Sequence, residues 1–261
     1  MSAASLIALL LSAADGGQAQ EAPICTDRPT KANAVCTLPA GNVQIETSLL
    51  GLSRSGSGNT RAETVTLAAT VARIGLTERS EVQIGVAPSV RLTAGAAGAQ
   101  QRVSGFGDLS VRYKHRISAE SSAVQVAVLP FLKLPTARRG LGNGAVEGGV
   151  AVPVSFALAG PVTMTLGPEL DLLADVDRQG HHVAVVNLVN LSLPVAQRLI
   201  VIGELWSNLN FEPSGTIRQA SADVAAAFSL SNRMQLDAGV NVGLTRDTPA
   251  LEAYAGISIR F

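Results

Sequence analysis

From Asn42 to the last residue, apolar and polar side chains alternate in stretch after stretch, with turn-forming residues between the stretches. A period of two is the mark of a strand with one apolar and one polar face. The last stretch shows it plainly. Leu251, Ala253, Ala255, Ile257, Ile259 and Phe261 fall on one face, and Glu252, Tyr254, Gly256, Ser258 and Arg260 on the other. Met234, Leu236, Ala238, Val240, Val242 and Leu244 repeat it against Gln235, Asp237, Gly239, Asn241, Gly243 and Thr245. Each stretch is about 10 residues long, which suits a tilted strand crossing a bilayer. About twelve are predicted, with cores near 42–53, 62–75, 80–93, 107–118, 122–135, 144–158, 161–175, 181–194, 198–212, 216–230, 233–246 and 250–261. Between Val183 and Leu193 the alternation blurs, because Asn187 and Asn190 fall on opposite faces; a slip or bulge is expected there.

The connections are of two kinds, in alternation. Leu76–Arg79, Ser118–Ser121, Ala159–Pro161, Val195–Arg198 and Ser231–Arg233 read as tight turns. Ser53–Arg61, Thr93–Gly105, Thr136–Gly144, Asp175–His181, Glu212–Thr216 and Arg246–Ala250 read as longer loops. Short turns on one rim and longer loops on the other are the habit of bacterial outer-membrane barrels. The expected fold is therefore all-β, a closed antiparallel transmembrane β-barrel of about twelve strands, with both chain ends on the short-turn, periplasmic rim. A helical reading fails on the period and on the abundance of Val, Thr and Gly. The rival is a soluble periplasmic β-sandwich, which produces similar alternation by burying one face of each sheet.

Composition narrows the rest. With 261 residues one main domain is expected, and 20 basic against 20 acidic residues give no surplus for binding nucleic acid. Apolar residues make up 47% of the chain, yet no run approaches the roughly 18 residues of a transmembrane helix. Aromatics are only 3%, too few for a dense interfacial girdle. Trp206 falls on the polar phase with Glu204 and Asn208, while Tyr113 keeps the apolar phase and suits an anchor. Residues 1–19 read as a secretory signal, with Leu6–Leu11 as its apolar core and Gly17-Gln-Ala19 before the cut, although no Lys or Arg precedes that core. Residues 20–41 read as a periplasmic N-terminal segment, and 42–261 as the barrel. Cys25 and Cys36 are expected to form a disulfide worth about 2–3 kcal/mol in an oxidising compartment.

On the polar phase the charges segregate. Arg112, Lys114, Arg116 and Lys133 lie on the fourth and fifth strands, with Arg91 nearby on the third. Glu147, Glu169, Asp171, Asp175 and Glu204 lie on the sixth to ninth. These ten are the expected lumen lining. Two consequences stay open: facing basic and acidic walls that orient a dipolar solute, or charges that pair and fill the interior. The Asp27–Arg28 pair has a matching choice, between the lumen mouth and a solvated periplasmic strap.

Catalysis is not expected. His181 and His182 are adjacent on a strand and point to opposite faces, and Ser207 and Ser221 sit in no nucleophile motif. Asp175 and Asp177 read as a solvated loop, with a surface divalent cation as the alternative, and neither a metal nor a cofactor is expected. Gly140-Leu-Gly142-Asn-Gly144 lacks the Lys and the following helix of a phosphate cradle.

Several short motifs resemble the family of outer-membrane transporters named for the meta-pathway of phenol degradation. They are Thr26-Asp-Arg-Pro29, Pro39-Ala-Gly41, Gln44-Ile-Glu46, Gly75-Leu-Thr-Glu-Arg79, Gly105-Phe-Gly-Asp108 and Leu134-Pro-Thr136. The resemblance implies an outer-membrane barrel with a transport role, for aromatic or hydrophobic compounds. The expected function is a channel or transporter for small solutes, by passive passage through a narrow charged lumen or a lateral opening. It brings no catalytic residues. The final strand, ending at Phe261, also resembles the C-terminal signal read by the barrel-insertion machinery, and membrane lipid and a small-molecule solute are the other expected partners. The alternatives are a closed structural or surface-interaction barrel and the soluble sandwich.

Overall fold

The computed structural model describes residues 22–96 and 98–261; the expected signal at 1–19 lies outside the described residues. Sixteen strand segments form one antiparallel sheet that closes on itself. They are β1 (Val43–Ser57), β2 (Thr60–Thr77), β3 (Ser80–Val86), β4 (Ser89–Ala96), β5 (Ala99–Gly105), β6 (Leu109–Arg116), β7 (Val124–Leu134) and β8 (Glu147–Ala151), followed by β9 (Val154–Ala159), β10 (Val162–Leu166), β11 (Glu169–Ala174), β12 (His181–Ala196), β13 (Leu199–Asn210), β14 (Ile217–Ser231), β15 (Met234–Gly243) and β16 (Leu251–Arg260). Four pairs run end to end: β3 with β4 on β2, β8 with β9 on β7 and β10 with β11 on β12 each share a neighbouring strand, and β5 with β6 follows the β4–β3 line beside it. The wall is therefore a cylinder of twelve staves. β1 closes it against β16, from Gln44↔Arg260 to Arg54↔Leu251.

The interruptions have a chemical cause. Pro88, Pro153 and Pro168 sit in three of the four gaps, and proline cannot donate to a ladder. Hydrogen bonds still cross the gaps: Gly107 N–H donates to Ala87 O at 2.9 Å and Val152 N–H to Pro168 O at 2.9 Å. The wall stays closed at these points.

Side chains are distributed inside out. Leu205, 60% exposed, Val224, 64% exposed, and Leu170, Leu172 and Leu132 cover the outer face. Gln44, Glu46, Arg73, Glu81, Gln83, Lys114 and Asp223 are buried inside. A sandwich would have the reverse arrangement, so that alternative is excluded. The rim that holds Phe261, whose N–H donates to Val43 O, carries only short connections such as Glu78-Arg79, Gly160-Pro161, Gln197-Arg198 and Asn232-Arg233, apart from residues 117–123. The opposite rim carries the twelve-residue loop 135–146 between β7 and β8.

Three expectations need correction. Residues 53–61 and 93–105 are not simple loops: β1 and β2 continue to a two-residue turn, and β4 and β5 pair from Val90↔Gly105 to Ala96↔Ala99. No slip occurs between Val183 and Leu193, where the β12–β13 register is regular and shifts only at Pro194/Ala196. Asn190 faces inward, where its side chain donates to Glu204, and Asn187 is exposed on the outer face. Arg91 does not line the lumen. The gap at Ala87-Pro88 changes the parity, so Val90 pairs with the inward Thr66 while Arg91 pairs with Val65 on the outer face.

Candidate functional site

The N-terminal segment enters the barrel instead of lying outside it as a periplasmic strap. It has no strand of its own, so its backbone groups need partners, and the polar inner wall supplies them. Lys31 and Ala32 donate their N–H groups to the Glu204 carboxylate at 3.0 and 3.1 Å. Leu38 N–H donates to Glu81 at 2.7 Å, and Asp27 N–H to Glu46 at 3.1 Å. Charged side chains complete the docking. Arg28 pairs with Asp237 at 2.6 Å, Lys31 with Asp223 at 2.6 Å and Asp27 with Lys114 at 2.6 Å. A disulfide joins Cys25 and Cys36 and closes this segment into a ring. Val35 packs with Ala127, Leu129 and Ala151, a small dry patch inside an otherwise polar interior.

Under the ring lies Arg73, with no exposed surface, donating to Glu46 at 2.7 Å and Glu81 at 2.8 Å. The same guanidinium donates to the carbonyls of Cys25 and Cys36, so it reads the ring as well as the wall. Burial alone would push the Asp27 carboxyl upward. Arg73 and Lys114 beside it prevail and hold it well below the usual carboxylate range.

The ring does not fill the lumen, and open space remains along one side. Two adjoining cavities of about 440 and 260 Å³ share Asn33, Arg112, Glu169 and Asp171. Arg112 and Asp171 stand on one register row, Arg112↔Phe131↔Gly149↔Asp171, with the acid three staves from the base. Gly149 is required between them: a Cβ there would sit 2.8 Å from the Phe131 ring. Arg28, Lys31 and Trp206 line the larger cavity, with the Lys31 ammonium 5.2 Å from the Trp206 ring centre.

The expected lumen residues divide by place. Arg112, Glu169 and Asp171 border the open space, and Arg112 donates to Asn33 of the ring at 3.0 Å. Lys114 and Glu204 hold the ring. Lys133 pairs with its cross-strand neighbour Glu147, so that pair is internally neutralised. Arg116 lies at the short-turn rim, donating to Glu78 O at 3.2 Å. Asp175 lies at the other rim, and Arg91 outside the barrel. Arg112 stands near Glu169 and Asp171 around the same open space, a quarter turn apart on the wall, while other expected charges are taken up by pairing.

Several functional residues were not read from the sequence. Asp223 and Asp237 anchor the ring from more than 190 residues away, beyond any local pattern. His182 donates from Nδ1 to the Asp175 carboxylate at 2.8 Å and lies 3.3 Å from Glu212. Among the described residues these three have ligand atoms of the type and spacing to hold a metal ion, all within 4.8 Å of one another. Ser221 accepts from Lys31 at 3.2 Å, and Ser207 lies on the outer face.

The family described as "Putative MetA-pathway of phenol degradation" matches residues 26–261. Among curated proteins none matches the chain. An outer membrane channel from Pseudomonas putida F1 superposes with a TM-score of 0.70 at 15% identity, over 87% of this chain and 98% of that one. The NanC porin does so at 0.53 and 9% identity, over 83% and 98%. The translocator domain of the autotransporter NalP from Neisseria meningitidis gives 0.51 and 13%, over 99% and 96%. These likenesses establish the fold, a closed antiparallel β-barrel.

Proposed function

Because the chain belongs to the phenol-degradation family matched over residues 26–261, we propose that it is a passive outer-membrane channel for small solutes that carry charge or a dipole. The observation that carries this reading is the open space beside the docked ring, bordered by Arg112 and, a quarter turn away on the wall, by Glu169 and Asp171. A field across a narrow, low-dielectric lumen orients a dipolar solute and rejects one that cannot meet both walls. Aromatic compounds are the solute class that the family's description suggests, and Phe131 and Trp206 offer rings beside the charges. The route is the lumen and not a lateral opening, because hydrogen bonds bridge the gaps in the wall. Insertion of the barrel would use the final strand, whose terminal Phe261 is two-thirds exposed.

The test is ion preference in planar bilayers. Arg112→Glu should move the reversal potential toward cations and Asp171→Asn toward anions. Unchanged selectivity in both would remove these residues from the pathway. Absence of conductance in every form would favour a closed structural barrel.

A further inference from the structure

On the outer face, away from the lumen, the staves formed by β1, β2, β4 and β5 change character with height. Their outward residues from Leu76 and Ile74 up to Leu67, Leu50 and Val65 are predominantly apolar. That band spans about 25–30 Å at the tilt usual for such strands, the thickness of a bilayer's hydrocarbon core. At its upper edge the register turns basic. Arg91 stands beside Val65, and Arg102 lies one row higher on the neighbouring strand, beside Thr93. Arg61 follows one row above, facing Gly95, which puts no side chain between Arg61 and Gln100. Arg54 is on the same face but is engaged by Glu63 at 2.8 Å. Arg61, Arg91 and Arg102 are exposed, and each lacks a side-chain partner among the described residues. A cleft of about 480 Å³ opens among Arg54, Arg61, Glu63, Thr93, Gln100 and Arg102.

Three unpaired guanidinium groups at this height cannot face hydrocarbon, and an outward cleft cannot serve the lumen. The long-loop rim of a bacterial barrel is the external one, so the cleft sits level with the outer-leaflet headgroups. We infer that this cleft binds the phosphorylated sugar headgroup of an outer-leaflet glycolipid of the lipid A type, with Arg61 and Arg102 of the cleft and Arg91 just below it on its phosphates. Guanidinium groups suit that chemistry because their fork of donors matches phosphate oxygens, and Thr93 and Gln100 offer hydrogen bonds to sugar hydroxyls. Basic side chains next to the apolar belt of a membrane protein take anionic headgroups by the same electrostatics. The inference needs the outer-membrane placement and not the channel function.

Native mass spectrometry of the full chain in dodecyl maltoside, titrated with diphosphoryl lipid A or fully dephosphorylated lipid A, tests it. The wild type should retain the diphosphoryl form at roughly 100-fold lower concentration than the dephosphorylated form. The triple variant Arg61→Gln, Arg91→Gln, Arg102→Gln should lose that preference. Arg198→Gln, on the opposite rim, should keep it. The gel shift between boiled and unboiled samples checks that each variant is folded. Equal retention of the two lipids by the wild type, or an undiminished preference in the triple variant, would overturn the assignment. So would displacement of lipid A by millimolar inorganic phosphate, which would make the cleft a site for free anions.

Discussion

Asp27 is where the ring's docking is most concentrated. Its carboxylate meets Lys114 at 2.6 Å and Gln83 at 2.6 Å and accepts from Ala34 N–H at 2.9 Å, while Arg73, Glu46 and Glu81 stand around it. A group whose folded pKa is depressed contributes stability above its unfolded value, and that stability is lost as pH falls through the folded one. The ring should therefore stay seated from neutral pH down to about 4 and loosen only below. Trp206 reports on this directly, being the single tryptophan and lying beneath Lys31 of the ring. Its emission should hold steady down to that pH and shift below it. Asp27→Asn should show the shifted emission at every pH, because Lys114, fully buried, then lacks its closest counter-charge at a cost of about 3–5 kcal/mol. A pH-independent emission shared by both proteins would contradict the account. Little of this was legible beforehand. The Asp27–Arg28 pair stood out, but its partners lie 87 and 209 positions away in the chain, where no spacing rule reaches.

At the scale of the element, alternation and turn chemistry placed the staves well, because every strand faces lipid on one side and polar groups on the other. They placed single residues less well wherever a proline broke the ladder. Counting parity through Ala87-Pro88 carried Arg91 to the wrong side, and only the pairing with β2 restores it. The long β1–β2 and β4–β5 hairpins were mistaken for loops for a related reason. Above the apolar belt both faces are polar, so the period of two fades although the backbone pairing continues. Val224 tests the lipid-facing assignment. It lies at the middle of β14, outward and 64% exposed, with the inward, buried Asp223 next to it. Val224→Arg should destabilise the barrel by about 2–4 kcal/mol in urea titrations of protein refolded into vesicles. A change near zero would mean that Val224 faces water.

For the molecule as a whole, the arrangement is a closed cylinder whose interior is occupied by its own N-terminal segment, leaving a charged open space to one side. The closed barrel, its antiparallel order and its outer-membrane setting follow from alternation that spans the chain. The seated ring does not, because an irregular segment carries no period and its energy comes from ion pairs formed only after closure. The central claim is that this ring narrows the lumen while the Arg112–Asp171 side remains passable. Single-channel recording of the wild type beside a variant carrying Arg28→Ala and Lys31→Ala tests it most directly, since those two side chains pair with Asp237 and Asp223. The account predicts small, steady conductance steps for the wild type and larger, fluctuating ones once the ring is released. Identical conductance in the two proteins, or none in either, would contradict it.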